Sequence, residues 1–210
     1  MIAGGKSHGR PEPRVCGLGL ASGFGMGAAA HLTGVREGRS VLKPLRELWG
    51  AGYPWGDVLS GWIPDRKLLC SRRNGPASQL ALLLARQAVE EAGWGEEELK
   101  DAALIVGSSR GNASGWLSPW PGRRSMKILA VPNSLHSELA SCVSIELGIR
   151  GPYHVLASGC AAGHDMMKAL GSTFSAFDVC LTKPGTGPFY AYAAEHFPVH
   201  AACPVIAGIT

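Results

Sequence analysis

The chain has 210 residues, 46% hydrophobic and 17% charged, which is enough apolar content for one sizeable core and lies outside the disordered and fibrous ranges. Its net charge of +4 is scattered in small groups such as Arg72-Arg73 and Arg123-Arg124 rather than gathered into a basic run, so nothing points to a nucleic-acid arm. No uncharged apolar run approaches the roughly 18–20 residues that a helical membrane span needs, and the six cysteines hold no C-x-x-C pair, which argues against a zinc site and a disulfide-dense scaffold.

In chain order, residues 1–13 are rich in Gly, Pro and charge and read as a loose leader, with structure expected from Arg14. Val15-Cys-Gly-Leu-Gly-Leu opens as a short strand, breaks into a glycine-rich turn and meets a helix at Ala28. Residues 43–76 carry Pro44, Pro54, Pro64 and Pro76 and read as an irregular excursion with short helical turns. From Ser78, Leu80, Leu83, Leu84, Ala88 and Ala92 fall at helical spacing, with Gly93 as the stop. Ala102-Ala-Leu-Ile-Val is a buried strand, and loop follows to Pro121.

A second helix is expected from Pro132, capped by Ser134, with Leu135, Leu139, Val143 and Leu147 on one side and Gly148 as its end. Residues 153–157 then form a strand, 161–170 a helix and 177–181 a last strand, while in the tail only Val205-Ile206 looks strand-like. Alternation of this kind is that of an α/β layered fold.

Between the strand at 153–157 and the helix at 161–170 lies Ser158-Gly-Cys-Ala-Ala-Gly163, which puts Cys160 at a strand-to-helix junction. Unpaired backbone N–H groups and the positive end of a helix favour a thiolate there, and small neighbours leave the thiol open to a thioester-bearing arm. Taken alone, such a cysteine is more often one further buried apolar residue.

Four stretches in order make the difference: Arg14-Val-Cys-Gly-Leu-Gly-Leu-Ala-Ser-Gly-Phe-Gly followed by Gly34-Val-Arg-Glu-Gly-Arg-Ser40; the helix from Ser78 to Gly93; Ala103-Leu-Ile-Val-Gly-Ser-Ser-Arg-Gly111; and Glu146 to Gly163, with Gly151-Pro152, a strand and the Cys160 turn. Together they resemble the N-terminal half of the β-ketoacyl synthases, over residues 14 to about 182. The resemblance implies a thiolase-like layered α/β fold, here its N-terminal half, a mixed sheet with packed helices. It implies that Cys160 accepts an acyl group from an acyl carrier protein or acyl-CoA for decarboxylative condensation, by covalent catalysis. It further implies that the Cys160 N–H supplies half of an oxyanion hole, where one well-placed donor is worth roughly 3–4 kcal/mol.

Members of that family are roughly twice this long, and their second half supplies two histidines and a lysine for which this sequence shows no counterpart; His196 and His200 do not match those motifs. Activity is therefore expected to be incomplete without a second half. The resemblance implies a homodimer, or a heterodimer with a synthase subunit, with the helix around 135–147 as a candidate contact. Neither metal nor cofactor is expected, the thiols should be reduced and the protein cytoplasmic, in a fatty-acid or polyketide setting. The layout read from the sequence is a leader at 1–13, a synthase-like domain at 14–182 and an uncertain tail at 183–210.

Rival readings are carried by fewer residues. A non-catalytic pairing subunit would keep the fold but not use Cys160. Gly17, Gly19 and Gly23 suggest a dinucleotide turn, but Ser22 stands where the third glycine belongs. Gly107-Ser-Ser-Arg-Gly111 fits a nucleophile elbow with Ser109, to be served by Asp178 and His196 or His200, but the stretch from Asn112 to Gly122 is a poor helix former. His164-Asp165 offers a local base for Cys160 only if the backbone is distorted, because neighbours on a helix point apart.

Overall fold

The computed structural model describes residues 15–113, 130–162, 165, 179–182 and 204–209. In chain order its regular elements are β1 (Leu18–Ser22), β2 (Gly25–Met26), α1 (Ala28–Arg36), β3 (Lys43–Pro44), α2 (Arg46–Trp49), β4 (Leu59–Ser60), α3 (Pro76–Ala92), α4 (Glu96–Lys100), β5 (Ala103–Gly107), α5 (Glu138–Leu147), β6 (Tyr153–Leu156), β7 (Val179–Thr182) and β8 (Pro204–Ile209).

Among the described residues six strands make one mixed sheet in the order β2-β1-β8-β7-β5-β6. β1 and β8 run parallel, as do β5 and β6, while β7 is antiparallel to both β8 and β5. The run from Ala103 to Val106 is completely buried, as its unbroken apolar character requires of a strand covered on both faces. Leu104 and Val106 point into the core shared with α3 and α5, where Leu80, Leu84, Leu139 and Val143 meet them.

α3 spans the stretch read as a helix, beginning at Pro76 and closed by Gly93 in the left-handed conformation at φ 66°. Ala81, Leu82 and Ala85 are buried beside the expected stripe, so the helix is wrapped on more than one side. Its closeness to β1 explains two glycines: a Cβ at Gly17 would lie 2.0 Å from the Ala88 carbonyl oxygen, and one at Gly19 would lie 2.2 Å from that of Leu84. These two glycines admit a helix backbone, a packing role that accounts for them without a nucleotide.

The excursion at 43–76 holds short helical turns at Arg46–Trp49 and Arg66–Leu69, as expected, and also a pair of short strands, β3 and β4, that was not; Trp49 stacks on Tyr53, Trp55 meets Tyr53 edge-on, and Arg66 lies over Trp49. The second helix differs from expectation. Pro132–Ser134 forms a separate 3₁₀ turn, α5 starts at Glu138, and Leu135 is exposed. The Ser134 hydroxyl donates to the Ala130 and Val131 carbonyls instead of capping the helix, which is why the chain turns again before α5.

α4 went unrecognised because five residues carry too little periodicity; the Glu98 carboxylate reaches back to accept from the Gly95 N–H at 3.0 Å, which starts it. The strand-like Val205-Ile206 lies in β8, between β1 and β7. Most of the helix expected at 161–170 lies outside the described residues. Among the described residues no helix is long and apolar enough to cross a membrane.

Candidate active site

β5 and β6 run parallel with Gly107 opposite Leu156, so the segments that leave them emerge at the same end of the sheet. The Ser108 N–H continues the ladder by donating to the Leu156 carbonyl at 3.0 Å. Gly151-Pro152 delivers the chain to β6: a Cβ at Gly151 would lie 2.2 Å from the Ala102 oxygen, and the Pro152 carbonyl accepts from the Leu104 N–H at 2.9 Å.

Beyond β6 the backbone turns sharply. Gly159 has φ 66°, residues Gly159–Ala161 form one 3₁₀ turn, and Ala162 enters right-handed helical geometry with its N–H donating to the Gly159 carbonyl. The Cys160 backbone thus stands in the turn between strand and helix, where the sequence puts it. Gly159 adopts the left-handed conformation that favours glycine, and among the described residues nothing lies within 4 Å of a Cβ built there. Ala161 is exposed and Ala162 is buried, so of these two small neighbours only the first faces outward. The exposed Ser158 hydroxyl donates to the Asp165 carboxylate across the turn.

The segment after β5 is fixed by a residue that sequence reasoning missed. Asn112 is buried; its Oδ1 accepts from the Ala77 N–H at 2.7 Å, and its Nδ2 donates to the Ser78 hydroxyl and to Glu138 Oε2, each at 2.7 Å. One amide therefore caps α3, whose N-cap position is Gly75, and ties it to the start of α5. The available signal was a glycine just before Pro76: a helix start without a side-chain cap needs an acceptor from elsewhere.

Burial pushes the Glu138 carboxyl up from 4.5 to about 7, against the opposing pull of the Asn112 hydrogen bond. Unfolded, it loses its proton near 4.5; folded, it keeps it to about 7, so stability is full below 4.5 and is lost as pH rises through 7. The expected loss is on the order of 1–3 kcal/mol, at the lower end because the group keeps some solvent contact. Urea denaturation from pH 4 to 8 measures this, and Glu138→Gln should flatten that part of the profile; an unchanged profile would count against the assignment.

Glu138 shares a cleft of about 190 Å³ with Arg73, Asn133, Cys142 and Glu146. Burial, then the Glu138 and Glu146 charges, push the Cys142 thiol up to about 11 against the pull of Arg73 and Arg86. Cys70 is exposed and free, whereas Cys16 is disulfide-bonded, which corrects the expectation of reduced thiols throughout. Distance along the chain says nothing about distance in the fold, and two sulfurs bond wherever the backbone brings them together.

The elbow reading of Ser109 fails on its surroundings. Residues 109–113 are bend and turn, not the start of a helix, and the contact of His136 Nε2 with Ser109 is to its backbone oxygen, at 3.5 Å. His164, Asp178, His196 and His200 lie outside the described residues. Among those described, no group of three or more His, Cys, Asp or Glu is placed to hold a metal ion.

Residues 69–173 match the model of the β-ketoacyl synthase N-terminal domain, half of the chain and the half that holds α3, β5, β6 and the Cys160 turn. The chain belongs to the β-ketoacyl synthase family. Nodulation protein E of Rhizobium sp. (strain N33) is 32% identical, covering 74% of this chain and 42% of that protein. The 3-oxoacyl-(acyl-carrier-protein) synthase 1 of Escherichia coli (strain K12) is 30% identical, covering 70% and 39%.

Among solved structures, the ishigamide ketosynthase/chain length factor superposes with a TM-score of 0.55 at 23% identity, over 72% of this chain and 41% of its own. A β-ketoacyl synthase from Burkholderia phymatum STM815 gives 0.54 at 20%, over 75% and 41%. The shared fold is the thiolase-like one, and this chain spans about two fifths of the length of these relatives. A family of unknown function also matches residues 154–210, overlapping the synthase match at the Cys160 turn.

Proposed function

We propose that this chain provides the acyl-accepting half of a β-ketoacyl synthase, with Cys160 as the nucleophile. The supporting observation is its position: Cys160 lies inside the matched N-terminal domain and in the turn that leaves β6 at the shared end of two parallel strands. Ligand sites of layered α/β sheets form at such strand ends.

In the reaction, the Cys160 sulfur, as thiolate, adds to the carbonyl carbon of a carrier-protein or CoA thioester and moves charge onto the oxygen. The Cys160 N–H donates to that oxyanion. Collapse breaks the bond to the departing sulfur, which takes up the proton Cys160 released, and leaves an S-acyl cysteine. Condensation with a decarboxylating malonyl-type thioester then draws on the groups that the family keeps in its second half, so a partner or further segment bearing them completes the enzyme.

On this reading residues 14–182 are the synthase-like domain, 1–13 a leader and 183–210 a tail that contributes β8; the protein is cytoplasmic, it works as a dimer with itself or a synthase subunit, and its products are fatty acids or polyketides. Intact-mass spectrometry after incubation with a short acyl-CoA and with acylated carrier protein tests the proposal. A single acyl adduct, mapped to the peptide holding Cys160, is expected. No adduct on any thiol would overturn it in favour of a non-catalytic pairing subunit.

A further inference from the structure

We infer that Ser158 and Asp165 are positioning residues for the Cys160 turn: the serine hydroxyl holds the aspartate carboxylate away from the nucleophile. The inference rests on the reading of Cys160 as the acyl acceptor. Ser158 is the last residue before the Gly159–Ala161 turn, Asp165 lies in helical backbone after it, and the hydroxyl of one donates to the carboxylate of the other. The contact joins the two ends of the eight-residue stretch from Ser158 to Asp165, which contains Cys160.

Two effects follow from that closure. First, Gly159 sits at φ 66°, a left-handed conformation that side chains rarely adopt, and a bond across the turn restricts a hinge that glycine leaves loose. Second, an unpaired carboxylate in the first turn of a helix seeks the same unsatisfied N–H groups that would serve a thiolate or an oxyanion. It also disfavours a nearby thiolate by like charge. A hydroxyl donating to the carboxylate satisfies part of its demand through a charge-assisted bond and keeps it on the β6 side. The pair therefore lets an acid stand close to the nucleophile without suppressing it.

The inference makes the two residues non-additive. Iodoacetamide alkylation of the full chain at one fixed pH, read by peptide mapping at Cys160 with Cys70 as internal reference, supplies the test. Ser158→Ala should slow alkylation of Cys160 roughly three- to tenfold, the effect of a pKa change of about half to one unit, while Cys70 keeps its rate. Ser158→Thr, which keeps the hydroxyl, should stay within about twofold of the parent, and adding Asp165→Asn to Ser158→Ala should restore the rate.

A Ser158→Ala variant as fast as the parent, or a double variant as slow as Ser158→Ala, overturns the positioning role. If Ser158→Ala does not fold, Asp165→Asn alone decides: a rate equal to or above the parent supports the role and a slower one overturns it. The nucleophile reading fails separately, if Cys160 takes up no acyl group from either thioester in the parent chain; the ratios between variants still judge the pair.

Discussion

Replacing Cys160 by alanine is expected to abolish the acyl adduct, reducing occupancy from acyl-CoA or acyl-carrier protein by at least about a hundredfold, since the proposed acceptor is then gone and the thiols of Cys16, Cys70 and Cys142 are poor substitutes. Cys16 is already bonded to another sulfur. Cys142 is buried beside two carboxylates with its thiol held near 11, so at pH 8 only about one molecule in a thousand carries a thiolate there. Cys70 is the serious competitor: it is exposed, and its thiol makes a weak contact to the Arg66 carbonyl at 3.5 Å. Cys70→Ser should therefore leave the adduct intact. An adduct that survives in Cys160→Ala and disappears in Cys70→Ser would reverse the assignment and move attention to the excursion between β4 and α3.

The second large effect is structural. Gly19→Ala is expected to destabilise the protein by about 3 kcal/mol, near the upper end for overpacking, because the added methyl would meet backbone and not a side chain that can rotate away. The obstacle is the Leu84 carbonyl in the middle of α3, with the Leu84 carbonyl carbon at 2.8 Å as well. Relief requires α3 to retreat from β1 and β8, which opens the core around Leu80, Leu84 and Leu104. Gly61→Ala is the control: its Cβ would meet Val41 at 3.6 Å and Leu42 at 3.9 Å, ordinary contacts, and should change stability by no more than about 0.5 kcal/mol. Urea midpoints for the two variants check the contrast, and equal midpoints would mean that the helix is not seated as described.

How far the fold was legible depends on how local its causes are. α3 could be read because a long amphipathic stripe and a terminal glycine act within the helix itself, and β5 because a strand buried on both faces has no polar alternation to preserve. α5 began later than expected because Pro132 and Ser134 are good starters for any helical turn, and local chemistry cannot tell a 3₁₀ turn from a helix three residues further on. The Cys160 turn was legible as a pattern of small residues between a strand and a helix. Its brace was not, since Ser158 and Asp165 are seven positions apart and only the folded turn brings them together. Asn112 stayed hidden for the same reason: its partners Ala77, Ser78 and Glu138 come from two other elements, and the one local hint is the missing cap at Gly75.

The placement of β8 has a consequence for how the protein is made. Leu18 in the first strand pairs with Ile206 in the last, and β8 also pairs with β7, so the middle of the sheet is filled by residues that leave the ribosome near the end of this sequence. Until then β1 and β7 each present an unpaired edge, the kind of surface that recruits strands from other chains. Closing so long a loop is slow relative to the helical contacts that precede it. The nascent chain thus passes through a stage in which α3 and α5 can already pack while the sheet is split in two, and that interval is when a chaperone would have most influence on whether it folds or aggregates.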